Sequence, residues 1–245
     1  MKITVFTANQ SRHNYLVNLL SNISEELFVI QENIAISSPT IPRDYPVTET
    51  MKKYFSNVID AQKKLFGNTY INRKNKNIRI HQLELGELNK CSLKILNNFL
   101  NSNIYIVFGS SYIKGELVQF LVKKKAINIH MGISPYYRGA DCNFWALYDG
   151  NSHLVGSTIH FLSKGLDSGS ILYHALSEKV SDPFLYPMST VKSAFYSLLT
   201  KIKDQSIFKI KEQTQDKSKQ LRYSKKIEFL SFFPNILSEE RNICF

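Results

Sequence analysis

Cysteine is scarce in this chain: Cys91, Cys142 and Cys244 are the only three in 245 residues, and they lie far apart. Without a Cys-x-x-Cys pair there is no zinc motif and no disulfide framework to read. Nothing near Cys142 marks an activated thiolate, so it reads as a small packing residue. Long apolar runs are missing too. None approaches the ~18 residues of a membrane span, and the opening Met1 to Phe6 reads as a first strand, too short for a signal-peptide core. These absences set the expectation of a cytoplasmic protein with no membrane partner. A Gly-x-Gly-x-x-Gly run after the first strand is also absent, which removes the dinucleotide fingerprint. No cluster has metal-ligand spacing, and no internal repeat is visible.

What is present is an excess of positive charge. Thirty-one Lys and Arg against 20 Asp and Glu give a net charge of +11. The excess is spread over Lys63-Lys64, Arg73 to Arg79, Lys123 to Lys125 and the tail from Lys201 to Lys226. A spread of this kind reads as solvated surface, and an anionic substrate needs only two or three placed cations.

Apolar runs and helical periodicities alternate along the chain. Strands are expected at 3–6, 27–30, 78–81, 104–108 and up to His130, with a short return strand at 177–180. Helices are expected at 14–23, 48–66, 93–100, 114–124 and 186–202, with a proline-punctuated loop at 37–46. Ile104 to Phe108 is uninterruptedly apolar, as a strand buried on both faces of a parallel sheet should be. The expected fold is therefore α/β: a doubly wound, Rossmann-like, mostly parallel sheet over residues 1–203. Residues 204–245 form a small extension packed on it. Ligands of such sheets sit beyond the carboxyl ends of the strands, which nominates the loops after Phe6, Phe108 and His130.

The stretch from Ala126 to Leu172 carries the chemistry. Asn128 and His130 share one face of a strand, and Asp167 comes up on the glycine-flanked turn Gly165 to Gly169. Asn128-Ile129-His130, Pro135-x-x-Arg138-Gly139, Trp145-Ala146, Gly156-x-Thr158-x-His160 and Asp167-x-Gly169 together resemble the formyltransferases that use 10-formyltetrahydrofolate. Where many members of that family have Pro-Ser-Leu-Leu-Pro after the histidine, this chain has Met131-Gly132-Ile133-Ser134-Pro135. With Tyr136-Tyr137-Arg138-Gly139 and Asn143-Phe144-Trp145, it looks most like the branch that modifies nucleotide sugars.

The resemblance implies formyl transfer to an amine, with Asn128, His130 and Asp167 as catalytic residues. The Asn128 amide would donate to the oxyanion, His130 would take the amine's proton, and Asp167 would orient the imidazole. His160 is assigned to structure. The donor, 10-formyltetrahydrofolate, would sit against Phe108, Gly109, Ser110, Ile113 and Asp167, with no metal required. The acceptor would meet Arg12, His13, Tyr136, Tyr137, Arg138 and Trp145, cations for a diphosphate and flat surfaces for a base.

The expected acceptor is a dTDP- or GDP-linked amino sugar, destined for surface polysaccharide such as lipopolysaccharide O-antigen. The alternatives are glycinamide ribonucleotide, methionyl-tRNA and a formimidoyl-type donor on the same site. Thr7 to His13 lacks a Gly-rich phosphate loop, and residues 204–245 are small for a separate tRNA-gripping domain. Among nucleic-acid partners, methionyl-tRNA is therefore disfavoured, and a purely RNA-binding module is disfavoured because binding alone would not need Asn128, His130 and Asp167 together. A homodimer is left open.

Overall fold

The computed structural model describes residues 1–34 and 46–236, with side chains as far as Phe232. Most of the proline-punctuated stretch at 37–46, and Cys244, lie outside the described residues. The elements in chain order are β1 (Lys2–Ala8), α1 (Ser11–Ser21), β2 (Glu26–Asn33), α2 (Glu49–Phe66), β3 (Ile78–Glu84), α3 (Leu93–Leu96), β4 (Ile104–Phe108), α4 (Gly115–Lys123), β5 (Ile127–His130), β6 (Tyr137–Gly139), α5 (Cys142–Tyr148), β7 (Ser157–Phe161), β8 (Ile171–Ala175), α6 (Leu185–Lys203), β9 (Arg222–Ser224) and α7 (Lys226–Ile236).

Seven strands form one sheet in the order β3-β2-β1-β4-β5-β7-β8, and β6 pairs with β9 in a second, two-stranded one. The first five strands of the large sheet are parallel; β7 and β8 run antiparallel to their neighbours. Chain order reverses at the β1–β4 seam, so the doubly wound Rossmann-like fold is the one observed. At that seam Thr7 Oγ1 donates to the Phe108 carbonyl at 2.8 Å, tying together the two carboxyl ends.

Alternation along each strand decides which side chains feed which layer. Ile3 and Val5 of β1 and Ile104, Ile106 and Phe108 of β4 pack with Leu16, Leu20, Phe195 and Leu198 of α1 and α6. Phe6, Tyr105 and Val107 point the other way, against Leu96, Leu117 and Leu121 of α3 and α4. All five residues of β4 are buried, as expected of its apolar run.

A third cluster lies beyond the sheet edge. Met51 and Phe55 of α2, Phe144 and Trp145 of α5, and Phe229 and Leu230 of α7 pack together there. Phe229 and Leu230 are each 1% exposed, worth about 1.5–3 kcal/mol apiece in burial.

Three expectations need correction. The first helix begins at Ser11, three residues earlier than its periodicity suggests, and Ser11 does not cap it; Gln10 occupies the cap position without a side-chain bond. The return strand is Ile171–Ala175, not 177–180, which has no regular structure. The tight turn at 165–169 brings Ile171 directly opposite His160, so pairing starts at once. The helix expected over 93–100 is α3 followed by a separate short 3-10 turn at Asn97–Phe99.

Candidate active site

β5 ends at the carboxyl edge of the sheet, and its alternation puts Asn128 and His130 on one face. Antiparallel β7 sets His160 opposite Asn128 and Thr158 opposite His130. Asp167 arrives from the turn between β7 and β8, itself in the left-handed region with φ +45°. Gly169 must be glycine: a Cβ there would stand 1.7 Å from the Phe161 carbonyl oxygen. The three predicted catalytic residues are thereby brought together. His130 Nδ1 lies 3.3 Å from Asp167 Oδ2, and Asn128 Nδ2 donates to Asp167 Oδ1 at 3.2 Å.

The partners assign the protons. His160 Nδ1 faces the Phe161 carbonyl at 2.8 Å, an acceptor only, so Nδ1 carries the hydrogen. Nε2 is then a lone pair and accepts from Asn128 Nδ2 at 3.0 Å. Both amide hydrogens of Asn128 thus have partners on the protein. His130 Nε2 faces the Tyr137 carbonyl at 3.3 Å, and Asp167 Oδ2 also accepts from the Gly139 amide at 3.2 Å. An imidazolium at position 130 would satisfy both of its acceptors; a neutral ring satisfies Asp167 and keeps its Nε2 lone pair.

Burial lowers the His130 pKa, and this outweighs the pull of Asp167 in the other direction. His130 is therefore neutral at neutral pH and available as a base. Burial pushes the Asp167 carboxyl up, but the His130 ring and the Gly139 amide outweigh it and hold it below the ordinary range. Cys142, buried, has its thiol pushed well up by burial and is no nucleophile.

Two cavities meet at His130. One, about 270 Å³, is lined by the predicted donor residues Phe108, Gly109, Ser110, Ile113 and Asp167, with His13 and Asn128. The other, about 180 Å³, is walled by Tyr54, Phe55, Phe144 and Phe184, with Arg12 and Asp141. His130, Met131, Gly139 and Arg12 belong to both.

The predicted acceptor residues divide. Arg12 lines both cavities, donates to Gln62 Oε1 at 2.8 Å, and is pulled down to about 10 by burial against the opposing field of Asp141. His13 belongs instead to the donor side. It is 2% exposed, packs on Phe108 at 4.8 Å, and lies under Gly109, where a Cβ would come within 2.3 Å of its Nε2. Tyr136 is half-buried and lines neither cavity; its carbonyl accepts from the Leu221 and Arg222 amides.

Tyr137, Arg138 and Trp145 line neither cavity and are engaged by other protein groups. The Tyr137 hydroxyl is engaged by Asp149 and Asn151. Arg138 donates to the Leu166 carbonyl at 2.8 Å and to Gln220 Oε1 at 3.0 Å. Trp145, 4% exposed, lies under the Arg222 guanidinium at 4.2 Å, and Arg222 is in turn bonded twice to Asp149.

Several site residues have no signal in the sequence motifs. Gln215 Nε2 donates to the Asp167 and Gly169 carbonyls at 2.9 and 2.8 Å, clamping the turn from the far end of the chain. Glu32, 1% exposed at the carboxyl end of β2, accepts from the Ser111 amide at 2.6 Å, the Ser111 hydroxyl at 2.8 Å and the Gly86 amide at 2.8 Å. A charge closing a buried strand was the available sign. Asp141 has no such sign, because no helix was expected over 142–148.

Residues 92–180 match the model of the family described as Formyl transferase, and that segment holds Asn128, His130 and Asp167. Among individual relatives, the chain is 38% identical over 96 residues to methionyl-tRNA formyltransferase from Thermotoga neapolitana, 39% of this chain and 29% of that one. It is 32% identical over 84 residues to GDP-perosamine N-formyltransferase from Brucella melitensis, 34% of this chain and 30% of that one. The aligned segments thus span less than a third of these relatives' own length. In three dimensions it is similar to a formyltransferase from Anoxybacillus kamchatkensis in complex with UDP-4,6-dideoxy-4-formamido-L-AltNAc and tetrahydrofolate. The TM-score is 0.52 and the identity 20%, covering 98% of this chain and 93% of that one. The likeness at that identity is one of fold, and it extends the resemblance from the motif segment to the whole sheet. Among the described residues no helix is long and apolar enough to cross a membrane, and no group of three or more His, Cys, Asp or Glu side chains is placed to hold a metal ion.

Proposed function

We propose that this protein is an N-formyltransferase that moves a formyl group from 10-formyltetrahydrofolate to the amine of a nucleotide-linked amino sugar. The observation that supports the reaction is the placing of Asn128 and His130 within 3.3 Å of the Asp167 carboxylate where two cavities join. A donor in one cavity and an acceptor in the other can then both reach His130.

The donor-side residues fit a flat, amide-rich ring. Gly109, with φ +65°, exposes its backbone to the cavity. Phe108 and Ile113 offer apolar contact, and both His13 ring nitrogens are buried with no hydrogen-bond partner among the described residues. When bound there, 10-formyltetrahydrofolate supplies a formyl carbon activated by its attachment to nitrogen. Glu32 fixes the Ser111 backbone that borders it.

The chain's own residues supply the proton handling. His130 Nε2 takes the proton that the amine loses as its nitrogen bonds to the formyl carbon. The resulting imidazolium is held between Asp167 Oδ2 and the Tyr137 carbonyl, and the same proton leaves Nε2 for the departing nitrogen. Asn128 stabilises negative charge on the formyl oxygen by turning one amide hydrogen toward it, at the expense of its 3.2 Å bond to Asp167.

The sugar acceptor is supported by the Brucella relative and by the ligands of the Anoxybacillus structure. It is also supported by the C-terminal segment. Residues 213–224 are built into the site's support, through Gln215 and β9, and do not form a separate tRNA-gripping unit among the described residues. The Thermotoga relative favours methionyl-tRNA as the second reading. Surface-polysaccharide synthesis is the setting in which such sugars are used.

The test supplies 10-formyltetrahydrofolate with a panel of dTDP- and GDP-linked amino sugars, and in parallel methionyl-tRNA and glycinamide ribonucleotide, and detects the formamide by mass spectrometry. Formamide on a nucleotide sugar is expected, and turnover confined to either of the other acceptors refutes the sugar reading. His130→Ala should reduce the rate at least ~100-fold; near-normal turnover refutes its role as base.

A further inference from the structure

Asp141 stands immediately before α5, where an aspartate ordinarily caps the helix with its side chain. Here it does not. Its backbone is left-handed, with φ 53° and ψ 38°, and its carboxylate makes no capping bond. Its backbone carbonyl accepts from the Trp145 amide at 3.1 Å, but among the described residues its carboxylate has no hydrogen bond and no ion pair within 4 Å. It retains exposed surface and lines the cavity on the acceptor side, with His130 on the same wall system. A strained backbone that withholds a carboxylate from its usual local partner, and presents it to a cavity, is the kind of local cost found where a residue serves a ligand.

The groups around it are Arg12 from α1, Tyr54 from α2, Cys142 beside it on α5 and Lys226 from α7, with His130 lining the same cavity. Surrounding protein pushes its carboxyl up to about 6, with Lys226 and Arg12 pulling the other way. It is therefore ionised at neutral pH. The same cavity is lined by the rings of Tyr54, Phe55, Phe144 and Phe184, with Gln10, Gln62 and Asn143 among its polar residues. An unpaired anion set among aromatic faces suits a cation carried on a largely apolar body, because both the carboxylate and the ring faces attract positive charge. An ammonium on a deoxy-sugar ring has that form, with its ring against the aromatic faces.

We propose that Asp141 is the acceptor-binding carboxylate of this chain, receiving the protonated amine of the sugar and holding it beside His130. The proposal rests on the acceptor reading above and deepens it: the recognised feature is the ammonium itself, so that hydroxyl counterparts are rejected before any chemistry. The contact is non-covalent. The surplus proton of the ammonium goes to solvent before the remaining amine meets His130.

Calorimetric titration of the protein, without folate, tests this apart from turnover. The probes are GDP-perosamine, a panel of dTDP-linked amino sugars, and for each the counterpart with hydroxyl in place of the amine. The protein should bind at least one amino sugar about tenfold more tightly than its hydroxyl counterpart. That preference should fade as pH falls through about 6, as Asp141 gains a proton. Asp141→Asn, a residue that tolerates the left-handed region, should abolish it. A preference retained in the variant overturns the proposal, as does equal binding of amine and hydroxyl, or no binding, by the unaltered protein. The last two need no variant and hold even if Asp141→Asn fails to fold. If the preference is present but no formamide forms, the reaction reading fails and this contact stands; formamide without the preference overturns the contact alone.

Discussion

Replacing Gln215 by leucine separates support of the site from support of the fold. The side-chain amide donates to two carbonyls of the catalytic turn, Asp167 and Gly169. Each such bond contributes about 1 kcal/mol net, so the pair contributes about 2. Gln215 Oε1 is buried without a partner among the described residues, and leucine removes that polar atom, returning about 1 kcal/mol. Global stability should therefore fall by only about 1 kcal/mol, read as a shifted urea midpoint with an unchanged slope.

The local effect should be larger. The turn loses its clamp, and Asp167 no longer stays 3.3 Å from His130 Nδ1. Asp167 raises the His130 pKa against the dominant effect of burial, so its displacement should lower that pKa further. The base form exists above the pKa, so the acid limb of kcat/KM should move to lower pH in the variant. The neutral-pH rate should fall about tenfold or more, because the imidazolium formed during transfer loses its counter-charge. Proton NMR of the His130 ring reads the titration without substrate. If Gln215→Leu loses the expected stability while the His130 titration and the acid limb stay where they were, the positioning argument is wrong and Gln215 is merely a packing residue.

Two further substitutions probe the turn and the donor side. Gly169→Ala drives a methyl group into the Phe161 carbonyl and should destabilise the protein by about 3 kcal/mol. Gly86→Ala, which meets nothing within 4 Å but has φ +85°, should cost about 1 kcal/mol; denaturant melts showing equal losses would refute the steric reading. Glu32→Gln replaces one acceptor oxygen with a donor facing an amide or hydroxyl donor. It should loosen the Ser111 loop by about 2 kcal/mol and weaken binding of a folate analogue, followed by fluorescence quenching; undiminished affinity would show that the loop is held by something else.

The parts of the fold visible in the sequence are those whose signal is local. β4 is an apolar run and lies buried on both faces, and α2 has its Thr48 cap and its apolar positions in register. The grouping of Asn128, His130 and Asp167 was legible from motif order alone. What escaped depends on residues distant in the chain. Tyr137, Arg138 and Trp145 look like a substrate-facing turn until Asp149, Gln220 and Arg222 claim them. The return strand was misplaced because its position depends on how tightly the 165–169 turn closes, a property of Asp167 and Gly169 backbones and not of hydrophobic pattern. Asp141 escaped because no helix was expected over 142–148, so neither its place before α5 nor the missing cap could be read from the sequence.

The pairing of β6 with β9 joins residues 137–139 to residues 222–224, and Gln213 bridges Ile171 through both backbone groups. During synthesis the chain is made from its amino end, so the seven-stranded sheet has all its strands while the segment that braces the Asp167 turn is still inside the ribosome. The turn consequently passes from loose to fixed only once residues 213–224 have been made. Until then a nascent chain holds the seven-stranded sheet around an Asp167 turn that is not yet braced. A molecule stalled or clipped near residue 210 would keep the two clusters that flank the sheet, yet lose Phe229 and Leu230 from the third and leave the Asp167 turn unclamped.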